Sequence, residues 1–310
     1  MELFQELNIK KKFQDSLITV GVFDGVHLGH KHLMAKLIEA AKKSQKSAGI
    51  VTFKNHPATV LNPKFRPNFL TNLETKLALL EATGVDFVSA ITFNKTVSEF
   101  SARDFLSLLK SELGMTGLVV GPDFQMGRNR EAGVDRLSAL GKEIGFTLKI
   151  IEVQEKAGVQ IRSTAVRNLI SAGEVRKASV MLGRQYSLQG SVITGMQRGR
   201  LLGFPTANQT IDQAICIPAN GIYATVATVN GTKYPAATSV GTNPTFHGKE
   251  QTIETYILDF DKDIYGENIE IEFFDRLRDE MSFENVDDLM VQMKKDVSTV
   301  KKLSKSGELE

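Results

Sequence analysis

The chain has one cysteine, Cys216, and no tryptophan in 310 residues. With a single thiol no intramolecular disulfide can form, and a reducing cytoplasmic location is expected. No apolar run is long enough to span a bilayer, and the N-terminus lacks the apolar core of a secretory signal, so no membrane partner is expected. Charge of one sign is also missing. Thirty-eight Lys and Arg offset 36 Asp and Glu, leaving a formal net charge of +2. That balance points neither to nor away from nucleic acid, and no nucleic-acid partner is expected. There is no internal repeat, no low-complexity segment and no Walker-type lysine loop. The length suffices for two domains with cores of their own.

Histidine is scarce too, with five in all, and two of them stand three residues apart in Gly21-Val-Phe-Asp-Gly-Val-His-Leu-Gly-His30. An apolar run precedes this stretch and a helix-like one follows, which reads as strand, glycine-rich turn, helix. The free backbone N–H groups of a helix start attract phosphate, and His27 and His30 can face it there. Gly21, Gly25 and Gly29 let backbone approach closely. Phe23 and Asp24 complete the turn. This is chemistry for holding a nucleoside triphosphate by its phosphates.

Apolar runs at 17–22, 49–53, 87–93, 118–121 and 148–153 alternate with helix-like stretches at 28–44, 73–82, 102–113 and 134–144. Apolar strands separated by helices imply a Rossmann-like, doubly wound parallel sheet covered on both faces. The His27/His30 turn would lie at the carboxyl end of the first strand, where such sheets bind ligands. After a helical connection at 164–182 the pattern changes. Strand-like runs at 186–194, 221–229, 233–240, 252–260 and 268–274 have no crossover helices between them. They predict a C-terminal antiparallel β-barrel, closed by a terminal helix at 283–298. The expected domains are 1–183 and 184–300, with a polar, frayed tail at 301–310.

Three further clusters carry chemistry. Arg162-Ser-Thr-Ala-Val-Arg167 opens a helix and can form a second phosphate cradle from Ser163, Thr164 and Arg167. Its plain alternative is an ordinary helix cap. Gly195-Met-Gln-Arg-Gly-Arg-Leu-Leu-Gly-Phe-Pro-Thr-Ala-Asn208 has glycines at four-residue spacing and two arginines. Gly195, Arg200, Gly203 and Pro205 suit a cationic loop over phosphates, and Thr206 and Asn208 offer oxygen ligands that Mg²⁺ accepts beside nucleotides. Glu254 lies in Thr252-Ile-Glu-Thr-Tyr-Ile-Leu258 on one face with Tyr256 and Leu258. If that face points inward, the carboxylate is held among apolar groups and suits a general base. If it points outward, Glu254 is solvated.

Together these motifs resemble the bacterial bifunctional riboflavin kinase/FAD synthetase family over essentially the whole chain. The Phe-Asp-Gly-Val-His-Leu-Gly-His turn, Ser163–Arg167, Gly-Phe-Pro-Thr-Ala-Asn, Gly241-Thr-Asn-Pro-Thr-Phe246 and the Glu254 strand carry the resemblance. It implies a transferase with two activities. A C-terminal kinase would phosphorylate riboflavin to FMN with ATP, Glu254 acting as base and Thr206 and Asn208 holding Mg²⁺. An N-terminal nucleotidyltransferase domain would adenylylate FMN to FAD and pyrophosphate, using His27, His30, Ser163, Thr164 and Arg167. It also implies flavin contacts at His56, Pro57, Asp123 and Phe124. The chain departs from the family pattern at Arg162, in place of a serine, and at Met126, in place of an aromatic.

Two other readings compete. One module alone is catalytic and the other is a flavin-responsive regulatory domain. Alternatively, the His-x-Gly-His turn pairs with Lys302-Leu-Ser-Lys-Ser306, a near copy of the second signature of class I aminoacyl-tRNA synthetases. The tail position argues against that pairing.

Overall fold

The computed structural model describes residues 6–7, 15–152, 155–156, 159–195, 199, 202–210, 212–245 and 248–309. Contacts divide the chain into two compact units, Met1–Ser163 and Thr164–Glu310.

The first unit contains β1 (Ser16–Val20), α1 (Leu28–Lys43), β2 (Ser47–Phe53), α2 (Pro57–Leu61), α3 (Leu73–Glu81), β3 (Phe87–Ile91), α4 (Lys95–Ser98), α5 (Ala102–Leu113), β4 (Met115–Val120), α6 (Val134–Ile144) and β5 (Thr147–Ile150). A small hairpin follows, β6 (Glu155–Lys156) with β7 (Val159–Gln160). The five long strands form a parallel sheet in the order β3-β2-β1-β4-β5. The order reverses between β1 and β4, so the loop leaving β1 opens at the switch point where doubly wound sheets take ligands. Ile18, Ile50, Val51, Leu118 and Val119 are essentially inaccessible, as strands covered on both faces must be. Local signals fix the helix ends. Ser101 caps α5 by accepting from Asp104 N–H, and Gly114 ends it at φ +60°.

The second unit begins with two helices, α7 (Ser163–Ser171) and α8 (Val175–Leu182), rather than one connecting run. Gly173, at φ +79°, breaks them, and a Cβ there would meet the Arg276 side chain and Tyr223 Oη. α8 packs on the barrel, and Ala219 N–H bonds to Ile170 O, so these helices group with the barrel by contact.

The barrel is built from β8 (Tyr186–Ile193), β9 (Ala207–Gln209), β10 (Gly221–Val229), β11 (Thr232–Thr245), β12 (Gly248–Ile257) and β13 (Asn268–Arg278). It closes in the order β10-β11-β12-β9-β8-β13, with every pairing antiparallel. Its interior holds a hydroxyl ladder. Thr238 Oγ1 lies 2.8 Å from Thr225 Oγ1 and 3.0 Å from Thr255 Oγ1, all three fully buried. Thr238→Val should destabilise this unit by about 1–3 kcal/mol, because it strips a buried hydroxyl of its partner. Denaturant unfolding measures this, and a change below about 0.5 kcal/mol would mean the ladder contributes nothing net.

The last helix, α9 (Val286–Lys305), runs further than the sequence suggests. Residues 301–309 are not a frayed tail. Leu309 is 7% exposed and joins Val300, Leu258, Phe274 and Ala224 in one cluster, with Val297 and Leu303 on the same stripe. Asp296 receives Arg278 Nε and Nη2 at 3.1 and 2.8 Å and fastens the helix to β13. The synthetase-like Lys302–Ser306 stretch is therefore the end of a packed helix rather than a catalytic loop.

Candidate functional sites

At the head of β1 the glycine-rich turn is built under strain. Phe23 and Val26 sit at φ +52° and +40°, conformations costly for side chains with bulk at Cβ. Gly25, at φ +78°, lies where a Cβ would strike Leu70. Leu70 N–H donates to both Asp24 carboxylate oxygens, at 2.9 and 3.1 Å. Asp24 is 4% exposed, and Lys76 is close enough to feel its charge. So Asp24, expected from the sequence among the phosphate-binding groups, shapes the turn with a carboxylate already engaged. Ser163, the last residue of the first unit, is similar: its hydroxyl donates to Asp24 O at 3.0 Å.

His27 caps α1, its Nδ1 accepting from His30 N–H at 3.3 Å. In the neutral ring the proton is then on Nε2, the nitrogen able to donate to a phosphate oxygen. The two imidazoles stack with centroids 3.6 Å apart, and Phe23 meets the His30 ring edge-on at 5.2 Å. His30 Nδ1 is buried without a hydrogen-bond partner among the described residues. Burial, followed by the neighbouring His27, holds the His30 pKa well below the usual imidazole value.

That shift has a sign. Below pH about 6.5 the unfolded chain protonates His30 while the folded one resists, so stability falls as the pH drops through that range. His30→Gln should flatten the dependence in denaturant unfolding between about pH 7 and 5. An identical slope in the variant would mean other groups set it.

His56 caps α2 through Nδ1, which accepts from Ala58 N–H at 3.1 Å, with Pro57 at the first helical position. Its ring stacks on Phe65 at 5.1 Å, an aromatic partner with no signal in the sequence. Phe124 packs on the main core, and Asp123 at the loop tip bonds to Arg162. Met126 is 9% exposed and lies in that core, so the departure at this position faces inward. Lys76 is another group the sequence does not flag. It is 7% exposed and its Nζ donates to Phe53 O. Burial lowers its pKa while Asp24 opposes the shift.

In the second unit the register of β9 against β12 sets Asn208 directly opposite Glu254, so both lie on one face. Thr206 Oγ1 donates to Glu254 Oε2 at 3.3 Å. The face is the outer one. Ile253, Thr255 and Ile257 fill the barrel, whereas Tyr256 meets Phe204 and Leu258 meets α9. The condition of an inward Glu254 among apolar groups is not met; the carboxylate is half-buried beside hydroxyl and amide groups. Gly195 lies so close that a Cβ there would fall 2.4 Å from the Asn208 amide. Gly203, at φ +78°, turns the chain into Phe204 and Pro205. Arg200 lies outside the described residues, as does His247. Thr164 and Arg167 lie on α7, the former exposed and the latter half-buried.

A cavity of 430 Å³ lies between Gly195, Thr206 and Asn208 and the 260–265 loop, which contributes Lys262, Asp263 and Tyr265; β12 lines it with Thr255 and Ile257, not with Glu254. The sequence analysis assigns this loop no role; only the fold brings it beside Thr206 and Asn208. The donor set suits a small hard cation. No cluster of three or more His, Cys, Asp or Glu able to hold a metal occurs among the described residues. A hydroxyl, an amide oxygen and one carboxylate leave most of the coordination shell to water and phosphate, as Mg²⁺ prefers.

Two family models match in tandem: one described as FAD synthetase over residues 9–165, and one described as riboflavin kinase over residues 182–304. A bifunctional riboflavin kinase/FMN adenylyltransferase from Listeria monocytogenes is 35% identical, with 91% of this chain and 90% of that protein covered. The protein of that description from Escherichia coli K12 is 33% identical over 92% and 91%. A crystal structure described as a macrolide-efflux protein from Streptococcus pneumoniae superposes with a TM-score of 0.87 at 30% identity, covering 95% and 97% of the two chains. In this chain, no described helix is long and apolar enough to cross a membrane.

Proposed function

Because the chain belongs to the bifunctional riboflavin kinase/FMN adenylyltransferase family, and so converts riboflavin to FMN and FMN to FAD with ATP, we propose which residues perform each step. We assign adenylyl transfer to residues 1–183 and riboflavin phosphorylation to 184–300. The observation that carries the kinase assignment is Thr206 and Asn208, which line a cavity of substrate size, held against Glu254 by a hydrogen bond and by strand register.

In the kinase step Glu254 takes the proton of the riboflavin 5′-hydroxyl as that oxygen attacks the γ-phosphorus of ATP; the bond to the bridging oxygen breaks and ADP leaves. Gly195 permits close approach of the phosphates. Thr206 and Asn208 would hold Mg²⁺, which when bound offsets charge on the transferring group. In the adenylyl step a phosphate oxygen of FMN attacks the α-phosphorus of ATP, and pyrophosphate leaves. The attacking group is already anionic, so no protein nucleophile is needed. His27 and His30 position the phosphates there by hydrogen bonding, with backbone N–H groups of the 21–29 turn and with Thr164 and Arg167. Asp24 and Ser163 keep the turn in shape. His56, Pro57, Asp123 and Phe124 border the flavin. The reading carries a cytoplasmic location, which a buried Cys216 outside any disulfide suits.

Purified protein incubated with riboflavin, ATP and Mg²⁺, and separately with FMN, ATP and Mg²⁺, should give FMN then FAD in the first and FAD in the second. Chromatography of the flavins reads both. FAD only from supplied FMN would make the barrel a regulatory module.

A further inference from the structure

Arg162 is one of the two positions, with Met126, where the sequence departs from the pattern it resembles, and its surroundings give it a task. One neighbour packs against the glycine-rich turn and the other is bonded to it. A Cβ on Gly29 would sit 3.0 Å from Ile161 O, and Ser163 Oγ donates to Asp24 O. The Arg162 backbone is thus anchored beside the His27/His30 turn. Its guanidinium reaches away, donating from Nη2 to Asp123 Oδ2 at 2.7 Å and from Nε and Nη2 to Gln160 Oε1 at 3.0 and 2.7 Å. Three hydrogen bonds from one planar group thereby join the β6–β7 hairpin to the loop after β4, from a backbone that lies beside the turn.

That loop is otherwise held at its ends. Phe124 N–H bonds back to Gly121 O, and Met126 and Ala132 exchange both backbone hydrogen bonds. The tip between them carries Asp123. Both partners of the ion pair are more than half exposed, so the bridge contributes little to folding. Its consequence is placement.

We propose that Arg162 is a positioning residue for the phosphorylated flavin: through Asp123 it sets the 121–127 loop against the glycine-rich turn, and so governs use of FMN rather than of ATP. This rests on placing adenylyl transfer at the His27/His30 turn with the flavin along that loop.

The test is steady-state FAD formation by the full chain carrying Arg162→Ala, Arg162→Lys, Asp123→Asn and the Ala/Asn double variant. Riboflavin phosphorylation in the same preparations serves as a control on folding. Arg162→Ala and Asp123→Asn should each raise KM for FMN by roughly three- to tenfold, with kcat and KM for ATP within about twofold. The double variant should be no worse than either single one, and Arg162→Lys should recover part of the loss. Additive losses, an equal rise in KM for ATP, or an effect of Asp123→Asn without one of Arg162→Ala would each overturn the proposal. Failure of the underlying site assignment reads differently: His30→Ala would then leave FAD formation intact.

Discussion

Glu254→Gln is expected to lower FMN formation from riboflavin by about 10²–10⁴-fold, the span a positioned general base contributes. FAD formation from supplied FMN should stay within about twofold, since that chemistry is assigned to the other unit. Glutamine keeps the shape of glutamate, and its amide oxygen still accepts from Thr206, so the contact that orients the side chain survives. What is lost is the ability to accept a proton. The location of Glu254 sharpens the expectation. It stands on the outer face of β12, half-buried, opposite Asn208, and outside the packed barrel interior. The substitution therefore opens no cavity and strands no buried charge, the usual routes to a collapsed variant. Chromatographic separation of riboflavin, FMN and FAD reads both activities in one preparation. FMN formation within about tenfold of the parent would remove Glu254 from the base role. Loss of both activities in a variant that still unfolds cooperatively would undo the assignment to separate sites.

What the sequence disclosed, and what it hid, follows from how far apart the deciding contacts are. The bounds of α5, α6 and β10 coincide with the sequence reading, because a serine cap, glycine stops and alternation are local. The His27/His30 turn is legible for the same reason: its cap bond spans three residues. β9 was not legible. Three residues after a proline carry no period, yet they set Asn208 opposite Glu254 across 46 positions of sequence. The face of Glu254 was undecided because both faces of this segment carry large apolar side chains, Ile253 and Ile257 on one and Tyr256 and Leu258 on the other. Period two separates faces without saying which is inside. The polar composition of 301–310 likewise concealed one buried leucine, whose burial depends on a helix stripe and a barrel surface. Asp24 reads from sequence as part of the turn and Ser163 as part of a second phosphate cradle, but only the fold shows that their polar atoms bond to the protein itself.

His30→Ala should do the opposite of the Glu254 variant, lowering FAD formation from FMN by about 10²–10³-fold, as loss of one preorganised donor does, while riboflavin phosphorylation continues. Burial keeps the imidazole neutral, so its removal deletes a hydrogen-bonding group and a stacking partner of His27 rather than a positive charge. A missing charge would matter less at high salt; a missing hydrogen bond at a buried nitrogen would not. The His30→Ala defect should therefore keep its size, within about twofold, between about 0.05 and 0.5 M salt. Neutralising Arg167, assigned here to phosphate, should give a defect that changes with salt. A salt-sensitive His30→Ala defect would mean that the imidazole works as a cation, against the burial of its ring nitrogen. A second effect needs separating from the first. Removing His30 unstacks His27, whose own Nδ1 depends on the His30 backbone N–H. That N–H survives the substitution, so His27 keeps its cap and its tautomer but loses its neighbour. If the double variant of His27 and His30 is no slower than either single one, the pair acts as a unit at the phosphate. If the losses multiply, each ring makes its own contact.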